Sequence, residues 1–235
     1  MSETLTLQPA TGASGRAYDS APASYGFAPS MVTVLSPTSP QSNGIRALRT
    51  HVMAQHINLG RRALAVCGPS AGVGCSFVAA NLAVSLAQIG VKTLLIDGDL
   101  RRPALDLLVR PPHPVAGLAQ CLQSSDEPFG ANIDADVLPN FSLMYAGHAT
   151  ANPQESLAGD RFRSFMKFCL REFDVTIVDT PPANTSTDGR RISGVAGYTL
   201  MVVARDRTFV RDVKTLSSQL RADRAVVIGT VLNRA

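Results

Sequence analysis

Short apolar runs at residues 63–66, 94–96, 177–178, 200–203 and 225–232 alternate with stretches of helical periodicity. Runs this continuous are apolar on both faces, as strands are when helices cover a parallel sheet on both sides. The pattern therefore predicts an α/β fold with a mainly parallel sheet, right-handed crossovers and ligands at the carboxyl ends of the strands. Between the strands, a helix is expected from Ser42, with Ile45, Leu48, Val52 and Ile57 on one stripe and Gly60 just past its end. Residues 76–88 are apolar nearly all round and stop at Gly90, which predicts a buried helix. Asp160 is placed to cap a helix that presents Phe162, Phe165, Cys169, Leu170 and Phe173, read as core, and residues 211–220 form a covering helix.

Two regions lack such a pattern. Residues 1–35, and chiefly 1–30, are rich in Ala, Ser, Thr, Pro and Gly, and are expected to be a disordered arm before a folded domain at 36–235. Tyr18 and Tyr25 fall in that arm, either as phosphoacceptors or as the aromatic content of a flexible tail. Between Pro103 and Pro139 the apolar rhythm is lost apart from residues 117–122. His51 and His56 read as surface residues.

A hydrophobic content of 45% supports a substantial core, and 17% charged residues suits a sheet covered on both faces. No apolar stretch reaches membrane-spanning length and no signal pattern opens the chain, so a cytoplasmic location is expected. The four cysteines, Cys67, Cys75, Cys121 and Cys169, have no metal-like spacing and read as free thiols. The net charge of +4 comes from scattered arginines, so nucleic-acid binding is not indicated.

The chemistry is concentrated where the first run ends, in Cys67-Gly68-Pro69-Ser70-Ala71-Gly72-Val73-Gly74-Cys75-Ser76. A strand, a small-residue loop and a helix in this order let backbone N–H groups close around phosphate oxygens, and Gly72 and Gly74 permit close approach. Against G-x-x-x-x-G-K-[ST], Pro69 stands at the first glycine and Cys75 at the lysine. The second run ends in Asp97-Gly98-Asp99-Leu100-Arg101-Arg102 and the third in Asp179-Thr180-Pro181-Pro182.

These blocks together resemble the Walker A, Walker A′ and Walker B motifs of the cytoplasmic domain of bacterial tyrosine autokinases that work with polysaccharide co-polymerases. Ala146-Gly147, the segment from Asn152 to Leu157 and the closing run to Asn233 belong to the same resemblance, which runs from about Ser36 to the end. It implies a nucleotide site formed by Gly72, Val73, Gly74, Cys75, Ser76 and Phe77, with Asn233 near the adenine. Ser76, Asp99 and Asp179 would hold Mg, directly or through water, and Asp97, Asp99 and Asp179 would be the catalytic carboxylates. Thr187-Asp188 resembles a position near the nucleotide. The family's Glu-x-x-Arg-x-x-Arg interface helix falls on Asn43, Arg46 and Arg49, so the acid is absent and a ring is not expected, though a homo-oligomer is possible; the arginines could equally be solvated.

The implied function is a kinase-like protein of exopolysaccharide or capsule biosynthesis that binds ATP and Mg weakly and acts through a membrane co-polymerase or chain-length determinant, with little or no tyrosine kinase activity. Loss of the lysine removes a charge-assisted contact, and after Asn233 only Arg234 and Ala235 follow, with no tyrosine cluster. Two alternatives remain: an active kinase or ATPase in which Arg101 or Arg102 replaces the lysine, and a MinD/ParA-like positioning ATPase, whose additional loop lysine is missing here. Cys75 is either a degenerated position or a thiol activated by the helix N-terminus.

Overall fold

Structure begins earlier than the sequence predicts. The computed structural model describes residues 25–124, 126–150 and 152–234, and β1 (Gly26–Phe27) already pairs antiparallel with Val109–Arg110. After it, Met31 is wholly buried and α1 (Val32–Leu35) follows. The expected arm is thus set too long by the segment 25–35. Its residues are small and polar in part, but their backbone and hydroxyl groups find partners on the domain, so ordering does not depend on apolar area alone. Tyr25 donates its hydroxyl to Asp134 Oδ2 at 3.0 Å, while Tyr18 lies outside the described residues.

Helix α2 (Pro40–Gln55) starts earlier than Ser42, because Ser39 caps it by accepting from the Ser42 N–H at 3.1 Å and proline suits the first turn. It stops at Gln55, and a 3₁₀ turn over Ile57–Leu59 leads to Gly60 in the left-handed region. His56, at the join, is buried beneath Tyr198 and is not a surface residue. The chain then passes through β2 (Ala63–Cys67), α3 (Cys75–Ala87) and β3 (Thr93–Asp97).

The patternless region holds α4 (Leu105–Leu108), β4 (Val109–Arg110), α5 (Leu118–Gln123) and β5 (Asp134–Leu138), with β6 (Phe141–Met144) after it. All are short, so periodicity had little to register. Then come α6 (Pro153–Ala158), α7 (Asp160–Glu172), β7 (Val175–Asp179), α8 (Asp188–Ala196), β8 (Tyr198–Ala204), α9 (Val210–Ala222) and β9 (Val226–Asn233). Gly159, not Asp160, holds the cap position of α7; Asp160 sits in the first turn and pairs with Arg163.

The main sheet has the order β5-β6-β3-β7-β2-β8-β9, parallel except for the β5–β6 pair at one edge. Within each central strand the side chains alternate between two cores. Leu64, Val66, Leu95 and Ile177 pack with α3 on one face, and Ala63, Ala65, Leu94, Ile96 and Val178 pack with α5, α7 and α8 on the other. Phe162, Phe165 and Cys169 are fully buried in that second core, as the α7 stripe requires. β2 lies between β7 and β8, with β3 beyond β7. The loops after β2, β3 and β7 therefore meet at one end of the sheet, the end where parallel α/β sheets bind ligands.

Candidate phosphate-binding site

Those loops enclose a cleft of about 390 Å³, lined by residues 70–77, Asp99, Arg101, Arg102, Asp179 and the turn that follows it. The loop after β2 owes its path to two glycines. Gly72 has φ +74° and Gly74 φ +93°, a region that other residues enter only with strain. A Cβ on Gly74 would also stand 2.2 Å from Asn233 Nδ2. That amide instead donates to the Val73 carbonyl at 3.0 Å, tying the end of β9 to the loop. Gly74 is the N-cap of α3, so free N–H groups and the positive end of the helix face the cleft.

Cys75 opens α3 but does not replace a lysine in charge. A Cβ on Gly68 would lie 2.9 Å from its sulfur, which places the thiol against the base of the loop. Burial raises its pKa well above the ordinary thiol value, with Asp179 and Cys67 adding to the effect. The activated thiol considered from sequence is therefore not what the fold provides: the helix terminus is outweighed by burial and a neighbouring carboxylate.

The three carboxylates divide the work. Asp97 accepts from the N–H groups of Asp99, Ala104 and Leu105 at 3.0, 3.0 and 3.1 Å, so it shapes the turn after β3. Burial raises it to about 6 despite those bonds, and Asp99 contributes. Asp99 accepts from the Arg101 and Arg102 N–H groups at 3.1 and 2.9 Å and lines the cleft. Asp179 is buried beside Asp97 in register on the neighbouring strand. Burial first and Asp97 second push it well up, while a hydrogen bond from Ser76 opposes the shift. Its Oδ1 has no hydrogen-bond partner.

A buried carboxylate oxygen without a partner, next to a serine hydroxyl at a helix start, is an all-oxygen donor set of the kind Mg²⁺ takes together with phosphate and water. Among the described residues no group of three or more His, Cys, Asp and Glu side chains is gathered for a metal. A nucleotide-borne Mg²⁺ needs no such cage. The residues present thus fit a nucleotide polyphosphate with its metal, except in the charge at position 75.

Comparison with known proteins agrees with this geometry. Residues 64–235 match the CobQ/CobB/MinD/ParA nucleotide binding domain. The chain belongs to this family. Within the nucleotide-binding family it is similar to CapB of Staphylococcus aureus, named as a tyrosine-protein kinase, at 28% identity over 84% of this chain and 86% of CapB. Wzc of Salmonella typhimurium, also named as a tyrosine-protein kinase, is 30% identical over 86% of this chain, which spans 28% of Wzc. Among solved structures, the kinase domain of the Escherichia coli tyrosine kinase ETK superposes with a TM-score of 0.79 at 28% identity, covering 87% of this chain and 80% of that one.

Of the residues singled out from sequence, 72–77, Asp99 and Asp179 meet at the cleft, Asn233 touches its loop and Asp97 lies beneath it. Asn43, Arg46 and Arg49 are elsewhere, on α2. Arg46 bonds Asn43 at 3.2 Å, and Arg49 turns to α3, bonding the Ser85 carbonyl and hydroxyl at 3.1 and 3.2 Å. Arg101 lines the cleft but its Nε is held 3.2 Å from the buried Asp188. Sequence reasoning did not single out Arg207, which lies beside the loop: a Cβ on Gly72 would meet its guanidinium nitrogens at 3.5 and 4.0 Å. It sits just past the apolar run of β8, where the rule that ligands gather after strand ends could have found it.

Proposed function

We propose that this chain is a kinase-like P-loop protein of exopolysaccharide or capsule biosynthesis that works chiefly by binding, with weak or no tyrosine kinase activity, on the cytoplasmic face of a membrane co-polymerase. The observation that carries the reading is Cys75. The loop, Ser76 and the acids are assembled as for a nucleotide, but a neutral thiol packed against Gly68 occupies the lysine position. Kinship with CapB and ETK supports the kinase context, and the resemblance of the three motif blocks supports the polysaccharide one. Among the described residues no helix is long and apolar enough to cross a membrane.

In this reading the N–H groups at residues 72–76 would hold phosphate oxygens, and Ser76, Asp99 and Asp179 would hold Mg²⁺, directly or through water, whose charge would offset that of the phosphates. Asp179 must give up any proton to do so, and a bound cation favours that. Phosphoryl transfer is almost wholly positioning and charge stabilisation, and the missing ammonium is a contact that strengthens as charge moves to the leaving oxygen. Binding therefore survives its loss better than catalysis does. The test is calorimetric titration with MgATP beside a phosphotyrosine assay. Measurable but weak binding and no autophosphorylation are expected; sustained autophosphorylation of the wild-type chain would overturn the reading.

A further inference from the structure

The loop has lost its lysine and gained a guanidinium from another element. Arg207 stands on the turn after β8, and that turn is fixed at several points. The Ala204 N–H donates to Thr208 Oγ1 at 3.0 Å, the Thr208 N–H returns to the Ala204 carbonyl at 3.1 Å, and the Arg205 N–H donates to the Asn233 carbonyl at 2.8 Å. Asp206, at φ +61°, makes the bend that turns the next residue toward the loop. Of the arginines around it, Arg205 is matched with Asp206, Arg211 with Asp212 and Arg101 with Asp188; Arg102 also lines the cleft without an ion pair among the described residues, but it stands on the turn of Asp99 and not beside Gly72. Arg207 is exposed and, among the described residues, has neither an ion pair nor a side-chain hydrogen bond.

Its position favours an anion. The guanidinium is beside Gly72, two residues before the N-cap of a 13-residue helix whose positive end points the same way. Two positive groups side by side without a counter-charge repel; a phosphate between them would be held by both. We infer that Arg207 replaces the P-loop lysine, binding the phosphates of a nucleoside di- or triphosphate from the β8 side of the loop. Arg101 serves less well, since withdrawing it would strand Asp188, which is buried and already has one oxygen without a partner. Arg207 moves without such a cost.

This inference rests on the nucleotide-binding reading above, and the experiment separates the two. MgADP is titrated by calorimetry into wild type, Arg207→Gln, Arg207→Lys, Cys75→Lys and the Cys75→Lys/Arg207→Gln double variant. Because Arg207 is exposed and unbonded, its replacement leaves the fold intact. Wild type is expected to lose about tenfold or more in affinity on Arg207→Gln, as for a lost charge-assisted contact. Arg207→Lys should keep most of it. In the Cys75→Lys background, where the restored ammonium serves the same phosphates, the Gln change should cost much less. Equal affinity of wild type and Arg207→Gln overturns the role of Arg207 and leaves the nucleotide reading standing. Binding by Cys75→Lys with none by wild type overturns it as well. Failure of every variant to bind removes the nucleotide reading itself.

Discussion

Cys75 withholds the ammonium that a P-loop lysine would bring to a site that already holds Asp97, Asp99 and Asp179. In the Arg207→Gln background, where no guanidinium stands in, Cys75→Lys should tighten MgATP binding by about tenfold or more, the worth of a charge-assisted contact, and by less in the wild type; calorimetry that finds no change in the Arg207→Gln background would contradict the charge argument. His56 gives a second prediction. Burial lowers it to about 4 from 6.5, with the Ala63 backbone opposing and Arg61 adding to the shift. A histidine depressed in the fold takes up a proton on unfolding between those values, so its contribution is full above 6.5 and drains away toward 4. Asp97, raised to about 6 by burial, acts with the opposite sign between its unfolded value of 3.8 and 6. Wild type alone would blur the two. The stability of wild type relative to His56→Phe, from urea unfolding, should fall between pH 7 and pH 4.5, and a constant difference would refute it. The acids and the loop were legible because each ends an apolar strand; His56 and Arg207 were not, since burial and proximity depend on which distant elements meet.

Elements held by apolar runs were readable, and those held by polar contacts were not. The strands and α3 follow from their composition, but the segment before α2 is fixed largely through one buried asparagine. Asn81 on α3 accepts from the Thr33 N–H and hydroxyl at 3.1 and 3.0 Å and donates to the Ser30 carbonyl at 3.0 Å. Gln88 donates to the Thr33 carbonyl at 2.9 Å. No periodicity announces such a network. Replacing Asn81 with alanine would leave several buried groups unpaired and should cost about 1–3 kcal/mol or more in urea-unfolding stability. A change under about 0.5 kcal/mol, the range of ordinary surface substitutions, would show that the attachment is incidental. Gly74→Ala tests the loop in the same way: strain at φ +93° and the clash with Asn233 should weaken MgADP binding more than they lower the melting temperature.

At the scale of the whole molecule, α2 carries Asn43, Arg46 and Arg49, the positions that the resemblance sets at a ring interface. Its Asn43 accepts from Arg46 of the same helix, and Arg49 is committed to α3. A neighbouring chain would have to compete for both arginines without a glutamate to draw them. Sedimentation at micromolar concentration is expected to show a monomer or small oligomer, and a discrete ring would refute this.

The stitched segment also decides where the protein can be cut. Residue 36 looks like a natural start in the sequence, yet a chain beginning there would open a hole where Met31 sits and bare the polar edge of α3, the helix that carries the phosphate loop at its other end. Such a chain should melt earlier, expose fresh apolar surface to dyes and clump on storage, whereas one beginning at Tyr25 keeps Met31 and the Asn81 bonds in place.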